Sequence, residues 1–232
     1  MTAGFIGQVA ASELGEPVTD EVRTLIRTAL NEDLRYGPDV TSVATVPADA
    51  VTDAAIVSRG DGVIAGVPVV LAVFDEVIGA GNYTVTAQVA DGTRVGRGDV
   101  VLAVHAPTRA LLTAERTALN LICHLSGIAT TTAEWVTELA GTSAKVRDSR
   151  KTLPGLRSLQ KYAVRAGGGV NHRLGLGDAA LIKDNHVAAA GSVSAALNAV
   201  RAAAPDIPVE VEVDSLAQLD EGVGLLGAGG HD

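Results

Sequence analysis

The sequence predicts a mixed α/β protein whose second half has parallel α/β architecture. Short β-prone runs separated by Gly-containing turns occupy residues 51–104. Beyond Gly127, predicted strands alternate with predicted helices, which favours a parallel sheet. The 232 residues are 47% hydrophobic and 3% aromatic, so we expect one large or two small domains with aliphatic cores.

The first half is predicted to hold two helices on either side of the β-prone runs. Residues 19–34 carry apolar side chains at helical spacing behind an acidic start, which favours an amphipathic helix. Strands are predicted at residues 54–58, 82–89 and 99–105. Residues 108–125 are predicted as a second helix, in which Cys123 is expected to be a small buried side chain.

That second helix carries a polar stripe opposite its apolar face. The stripe consists of Thr113, Arg116, Thr117, Asn120 and His124. Steps of three or four residues place side chains on one helix face. The stripe is therefore either a row of ligand-binding donors or a solvated surface.

The second half is predicted to alternate between short strands and helices. Strands are expected at residues 144–148, 170–173, 180–183 and 208–214, and helices at residues 156–165 and 193–203. Ligands of parallel α/β folds gather where strands end and loops begin. Arg150, Lys151, Arg173 and Lys183 fall at such positions, so we expect them to converge.

Positive charge is concentrated in one stretch of an acidic chain. Nine of the 18 Lys and Arg residues lie between Lys145 and Lys183, although the net charge is −9. Arg157, Lys161 and Arg165 recur at helical spacing and are interpreted as the solvated face of a helix. Helical spacing does not explain the other six cations, which are candidates for chemistry: Lys145, Arg147, Arg150, Lys151, Arg173 and Lys183. Such a block indicates an anionic ligand.

An acidic strand supplies the complementary charge. Residues 209–214 alternate three valines with Glu210, Glu212 and Asp214, so all three carboxylates share one face of a strand. Burying that face would require a metal ion or neighbouring Lys and Arg residues. An exposed edge strand is the alternative. The Gly triplet at residues 167–169 is interpreted as a helix C-cap and tight turn.

Several classes of function are disfavoured by composition. The basic block is nearly free of aromatic rings, so nucleic acid is not an expected partner. No apolar run approaches the roughly 20 residues of a membrane span, and residues 1–20 lack the pattern of a leader peptide. The single cysteine forms no internal disulfide. We therefore expect a cytoplasmic protein that binds small anions.

Five motifs, in order, carry a family resemblance. They are the segments at residues 113–120 (TAERTALN), 147–152 (RDSRKT), 168–173 (GGVNHR), 181–185 (LIKDN) and 210–214 (EVEVD). Together they closely resemble quinolinate phosphoribosyltransferase, the decarboxylating nicotinate-nucleotide pyrophosphorylase. The resemblance implies an N-terminal α/β sandwich, residues 1–120, followed by a partial (incomplete) α/β barrel of the type II phosphoribosyltransferase kind, residues 121–232. It also implies a homodimer or a higher homo-oligomer.

The resemblance further implies a reaction and a set of site residues. Quinolinate and phosphoribosyl pyrophosphate would give nicotinate mononucleotide, pyrophosphate and CO2 in NAD biosynthesis, with Mg²⁺ as cofactor. Arg150, His172 and Arg173 would hold the quinolinate carboxylates, and Arg116 would reach the neighbouring subunit's site. The remaining implied roles are catalysis between the two substrates by Lys151 and Lys183, local hydrogen bonds by Ser149, and catalysis with Mg²⁺ and ribose binding by Glu212.

The chain departs from the family pattern after residue 220. The pattern continues with further strands, a second acidic residue near the metal and loops for the ribose phosphate, whereas residues 222–232 here are Gly-rich. The expectation is a C-terminally truncated member that lacks its last barrel strands. The alternatives are an inactive or binding-only homologue, or a related phosphoribosyltransferase with another acid substrate.

Overall fold

The computed structural model of the chain describes residues 14–226. The described residues divide into two compact units, residues 14–172 and 173–226. Residues 1–13 and 227–232, on which the leader and truncation expectations partly rest, lie outside the described residues. The elements of the first unit are, in order, α1 (Asp20–Leu34), α2 (Val40–Thr45), β1 (Val51–Val57), β2 (Gly62–Val63), α3 (Val67–Val77), β3 (Thr84–Gln88), β4 (Arg94–Val95), β5 (Val100–Pro107), α4 (Thr108–Glu138) and α5 (Arg157–Ala166).

The first unit is built on antiparallel strands and long helices. β5 lies between β1 and β3, and both neighbours pair with it in antiparallel register. β2 and β4 form a separate two-stranded antiparallel sheet. The predicted strands in residues 51–104 are thus confirmed with shifted ends. A core of aliphatic side chains joins α1, α3, α4 and α5 to these strands.

Helix α1 confirms the amphipathic prediction for residues 19–34. The Thr19 hydroxyl caps the helix by accepting a hydrogen bond from the Val22 amide at 3.4 Å. Val22, Ile26 and Leu30 are buried on one side. The opposite side carries exposed charge, as the spacing predicted.

Helix α4 is longer than predicted, running through residue 138 instead of ending near 125. The Ser126 and Thr130 hydroxyls accept hydrogen bonds from the Ala65 and Val63 amides at 3.1 and 2.9 Å. These bonds satisfy backbone amides of β2 and of the residues directly after it. Residue 120 lies inside α4, and the division of domains there stays a prediction.

Two residues of α4 differ from expectation. Cys123 is exposed, so its predicted burial was wrong. Neighbouring residues on a helix are about 100° apart, and the buried Ile122 faces the core while Cys123 does not. Thr117 is buried, so the predicted polar stripe is interrupted at its middle.

The Gly triplet ends α5 as predicted. Gly167 is the C-cap, and Gly168 has a positive φ of 88° that favours glycine. A Cβ on Gly167 would lie 2.3 Å from the Ala129 carbonyl oxygen. The turn therefore also allows close approach to α4.

The second unit alternates strands and helices. Its elements are β6 (Ala180–Ile182), α6 (Asp184–Ala190), α7 (Val193–Ala203), β7 (Val209–Val211) and α8 (Leu216–Leu226). β6 and β7 are parallel, with Ala180 opposite Val209 and Ile182 opposite Val211. They pack with α7 around a small separate core. The parallel α/β prediction is confirmed here.

The strands predicted at residues 144–148 and 170–173 are much shorter in the structure. Among the described residues, the β pairing between the two segments is limited to a parallel bridge between Arg147 and Val170. The Asp148 amide bonds the Val170 carbonyl at 3.2 Å, and the Val170 amide bonds the Val146 carbonyl at 2.8 Å. The predicted pairing direction holds, but the predicted length was wrong.

Candidate functional site

A buried ion pair lies at Asp148, directly before the predicted site residues Ser149, Arg150 and Lys151. Lys161 Nζ lies 2.5 Å from Asp148 Oδ1, and their side chains are 1% and 8% exposed. Lys161 Nζ also donates to the His172 carbonyl at 3.0 Å. The interpretation of Lys161 as part of a solvated helix face was therefore wrong. A buried cation is tolerated when it is paired and hydrogen-bonded.

The other two cations of that helix are half-buried and bonded. Arg157 Nε donates to the Thr152 hydroxyl at 3.2 Å. Arg165 donates to Asn171 Oδ1 and, at 2.7 Å, to the Leu14 carbonyl. All three cations of α5 thus hold parts of the chain together, and helical spacing alone did not reveal those partners.

Asp148 is the centre of a larger network. Its Oδ1 accepts the His172 amide at 2.8 Å, and its Oδ2 accepts Asn171 Nδ2 at 2.6 Å. The carboxylate thus receives an ammonium, a backbone amide and a side-chain amide. Asp148 is the sole acid between residues 145 and 173, which was the available sequence signal for this role.

Ser149, Arg150 and Lys151 follow that carboxylate directly. The Ser149 hydroxyl accepts the Lys151 amide at 3.1 Å, closing a tight local turn. Lys151 is exposed and Arg150 is half-buried. This arrangement puts two cationic side chains next to each other on a loop whose first residue is fixed.

A cavity of about 430 Å³ lies against this loop within the first unit. Ser149 and Lys151 line it together with Asp148, Lys161, Gln160 and His124. Gln160 Nε2 lies 2.9 Å from His124 Nε2, and Gln160 Oε1 accepts the Leu153 amide at 3.1 Å. His124 belongs to the predicted polar stripe, whereas Gln160 was missed by the sequence reasoning.

Two arginines retain an unsatisfied buried donor. The Nε atoms of Arg150 and Arg173 are buried and have no hydrogen-bond partner among the described residues. A buried donor without a partner costs roughly 1–3 kcal/mol. Arg173 Nη1 donates to the Ala179 carbonyl at 3.1 Å, which fixes the rest of that side chain. Both arginines therefore have donor capacity left for an acceptor.

The second unit contains the other predicted site residues. Lys183 Nζ lies 2.7 Å from Glu212 Oε2, and the two side chains are 45% and 53% exposed. His186 Nδ1 accepts the Lys183 amide at 2.9 Å and so fixes the start of α6. Glu210 and Asp214 are also exposed. The predicted burial of the acidic face of residues 209–214 was therefore wrong, while the three valines of the segment do pack against the second core.

A resident metal cluster is absent from the described part of the chain. No group of three or more His, Cys, Asp or Glu side chains is arranged there to hold a metal ion. Magnesium in phosphate sites commonly takes one or two carboxylates together with substrate phosphates. The exposed carboxylate of Glu212 fits that kind of ligand. No helix in residues 14–226 is long and apolar enough to cross a membrane.

Arg116 is exposed on α4 and does not line the cavity at residues 148–153. Lys145 lines a different cavity of about 590 Å³ near the end of α4 and the Gly triplet. Ser149, Lys151 and the Lys161 network are thus brought together. Arg116 and Lys145 are not part of that group.

Comparisons with known proteins agree over both units. Residues 39–126 match the profile described as "Quinolinate phosphoribosyl transferase, N-terminal domain", and residues 128–225 match "Quinolinate phosphoribosyl transferase, C-terminal domain". The nicotinate-nucleotide pyrophosphorylase (carboxylating) of Mycobacterium leprae is 66% identical over 201 residues, covering 87% of this chain and 71% of the relative. The probable Bacillus subtilis counterpart is 41% identical, covering 88% and 69%.

Solved structures give the same result for the fold. NadC from Streptococcus pyogenes has a TM-score of 0.82 at 42% identity, covering 89% of this chain and 74% of that one. The nicotinate-nucleotide pyrophosphorylase of Francisella tularensis has a TM-score of 0.80 at 36% identity, covering 88% and 71%. The resemblance first carried by five short motifs extends over most of the chain, which belongs to the quinolinate phosphoribosyltransferase family.

Proposed function

We propose that the chain transfers the phosphoribosyl group of phosphoribosyl pyrophosphate to quinolinate, with decarboxylation, giving nicotinate mononucleotide, pyrophosphate and CO2 in NAD biosynthesis. The observation that carries this proposal is the pair of buried, unsatisfied Nε donors on Arg150 and Arg173. Quinolinate is a pyridine with two adjacent carboxylates, and arginine pairs with carboxylate in a planar, two-bonded geometry. Each unsatisfied donor would gain an ionised acceptor.

The remaining cations suit the phosphates and the leaving group. We assign His172 to the quinolinate carboxylates beside Arg173, and Lys151 and Lys183 to the charge that develops between the two substrates. Ammonium groups act as point charges toward phosphate oxygens. Ser149 holds the Lys151 backbone at 3.1 Å, and so supports that lysine.

Charge stabilisation is the main catalytic task in this proposal. As pyrophosphate leaves, Lys151 and Lys183 stabilise its negative charge, and the electron-poor ribose carbon is captured by the pyridine nitrogen. The positive ring nitrogen stabilises the electron pair that departing CO2 leaves on the adjacent ring carbon, and a proton from solvent then takes the place of the carboxylate there. Glu212 would hold magnesium together with the substrate phosphates, and the ion would neutralise part of their charge.

Assembly and location remain part of the proposal. Arg116 is exposed on α4, and we propose that it reaches the site of a neighbouring subunit in a homodimer or higher homo-oligomer. Light scattering of the purified chain gives its oligomeric state, and a monomer at working concentration would contradict this assignment. We also propose a cytoplasmic location, since the single cysteine can form no internal disulfide.

Two measurements test the function. Calorimetric titration with quinolinate should show saturable binding, and incubation with quinolinate, phosphoribosyl pyrophosphate and Mg²⁺ should release CO2 and nicotinate mononucleotide in equal amounts. Binding without CO2 release would indicate a binding-only homologue. Turnover of another pyridine or purine acid in preference to quinolinate would indicate a related phosphoribosyltransferase, and no binding of any acid would refute the proposal.

A further inference from the structure

Helix α5 contacts the loop at residues 148–153 at three places, and we call this loop the Arg-Lys loop because it carries Arg150 and Lys151. Lys161 bonds Asp148 at the start of the loop. Arg157 bonds Thr152, and Gln160 accepts the Leu153 amide at its end. One helix therefore fixes both ends of the loop.

The contact at the start of the loop also fixes residues 171 and 172. Asp148 Oδ1 is shared by Lys161 Nζ at 2.5 Å and the His172 amide at 2.8 Å. Lys161 Nζ closes the ring by donating to the His172 carbonyl at 3.0 Å. The single buried ammonium thus sets the backbone of His172 and the origin of the Arg-Lys loop at once.

Stability alone does not account for a charged pair at this position. Replacing a buried ion pair by well-packed apolar side chains is often neutral or stabilising, because both charges must first be removed from water. Apolar side chains, however, give no directional bonds. The Lys161–Asp148 pair supplies four directed contacts, to Asp148, the His172 carbonyl, the His172 amide and Asn171.

We propose that Lys161 is a positioning residue that acts through Asp148 on the Arg-Lys loop and on His172, with Gln160 holding the other end of the loop. This inference rests on the proposed function, since the groups it positions are those assigned to the two substrates. A misplacement of about 1 Å in a catalytic arrangement can reduce the rate about 100-fold. Lys161 itself touches no substrate in this account.

The test uses the purified full chain with Lys161→Met, Gln160→Leu and the double variant Asp148→Asn/Lys161→Met. Arg23→Met, at an exposed position of α1, is the control with the same change in charge as Lys161→Met. The readouts are kcat and KM for quinolinate, chemical denaturation, and hydrogen exchange at the Lys151, Leu153 and His172 amides. The exchange readout does not require activity.

We expect Lys161→Met to speed exchange at the Lys151 and His172 amides and to lower kcat/KM for quinolinate about 100-fold. Gln160→Leu should speed exchange at Leu153 and lower kcat/KM about 10-fold, while Arg23→Met changes neither. The double variant removes the unpaired carboxylate, so it should regain unfolding stability without regaining kcat/KM. A positioning role predicts that unfolding stability recovers without kcat/KM, whereas a purely structural role predicts that both recover together.

Unchanged exchange in the Arg-Lys loop of folded Lys161→Met would overturn the inference, as would faster exchange with unchanged kinetics. If Lys161→Met does not fold, the double variant decides: wild-type kcat/KM in that variant overturns the inference. If the wild-type chain turns over no quinolinate, the proposed function fails. The exchange data then still show whether Lys161 orders the loop, so the two failures are distinguishable.

Discussion

Two lysine–carboxylate pairs of similar length lie in opposite environments in this chain. Lys161 and Asp148, in the first unit, are 2.5 Å apart and 1% and 8% exposed. Lys183 and Glu212, in the second unit, are 2.7 Å apart and 45% and 53% exposed. Both lysines belong to the same basic block of the sequence. The two lysines carry the same charge, so they are distinguished by their partners and by their burial.

The buried pair finds its hydrogen-bond partners within the protein, whereas the exposed pair is accessible to solvent. Asp148 accepts three donors, so the Lys161 network has little capacity left for a ligand. An exposed pair contributes only about 0–1 kcal/mol, so Lys183 and Glu212 can separate at low cost, as the proposed binding of phosphate and metal requires. The cations of the basic block therefore divide into those that build the fold and those that are exposed and are proposed to bind ligand.

The largest effect should come from breaking the buried pair. Asp148→Ala leaves the Lys161 ammonium buried without its carboxylate, and such a change costs about 3–5 kcal/mol of unfolding free energy. Chemical denaturation followed by circular dichroism measures this cost. Asp33→Ala, at an exposed position of α1, is the matched control and should lie within about 0.5 kcal/mol of wild type. A loss below 1 kcal/mol for Asp148→Ala would mean that the buried pair is not essential.

Removing a cation that is proposed to bind the substrate should have the opposite result, a large loss of affinity with a small loss of stability. Arg173→Ala should weaken quinolinate binding by about 10- to 100-fold, because a hydrogen bond to a charged group contributes about 1.5–3 kcal/mol. Unfolding stability should change by no more than about 1 kcal/mol, the amount expected for the lost bond to the Ala179 carbonyl.

Calorimetric titration with quinolinate measures that affinity, with Arg201→Ala, at an exposed position of α7, as the control in the same unit. Unchanged quinolinate affinity in Arg173→Ala would remove Arg173 from the site. Arg150 would then be the only one of the two arginines still proposed to bind a carboxylate.

The elements that depend on local spacing were predictable from the sequence. Helices α1 and α7 match residues 19–34 and 193–203 closely, because their apolar period and end caps are local. The strands predicted at residues 144–148 and 170–173 were too long. A strand exists only where a neighbour accepts its backbone bonds, and the described residues provide a single bridge there.

The residues that support the candidate site were less predictable from the sequence than the cations proposed to bind the substrates. Arg150, Lys151, Arg173 and Lys183 stood out because loop cations between apolar runs need an explanation. Lys161 did not stand out, because its partner lies 13 residues earlier and helical spacing gives no information about tertiary partners. Gln160 and His124 are 36 residues apart, so the contact that joins them carries no local signal.

A smaller effect is expected at Tyr162, which follows Lys161 on α5 and belongs to the core of the first unit. Its hydroxyl donates to Asp91 Oδ2 at 2.6 Å, and Asp91 also accepts the Gly66 and Val67 amides at 2.7 and 3.0 Å. Tyr162→Phe leaves those two amide bonds in place and should cost about 1–2 kcal/mol of unfolding free energy.

This cost should depend on pH in a defined direction. Burial, followed by the neighbouring Asp91 carboxylate, raises the pKa of the Tyr162 phenol above its usual value. The unfolded phenol ionises near pH 10, whereas the folded one keeps its proton. The contribution of Tyr162 is therefore fully present below about pH 10 and is lost as the pH rises toward the folded-state pKa. Denaturation at pH 8 and pH 10.5 should show the gap to Tyr162→Phe narrowing; a constant gap would contradict the assignment.

The smallest change in stability should come from breaking the exposed pair. Glu212→Gln removes the carboxylate that lies 2.7 Å from Lys183, and both groups then remain solvated, so unfolding free energy should fall by less than about 1 kcal/mol. Salt should reduce even that difference, because exposed charges are screened at high ionic strength. Denaturation at low and high salt measures both effects, and turnover of the same variant tests whether Glu212 is needed for the reaction. A loss of several kcal/mol would show that Glu212 supports the fold in the way Asp148 does, and the distinction between a building pair and a binding pair would no longer hold.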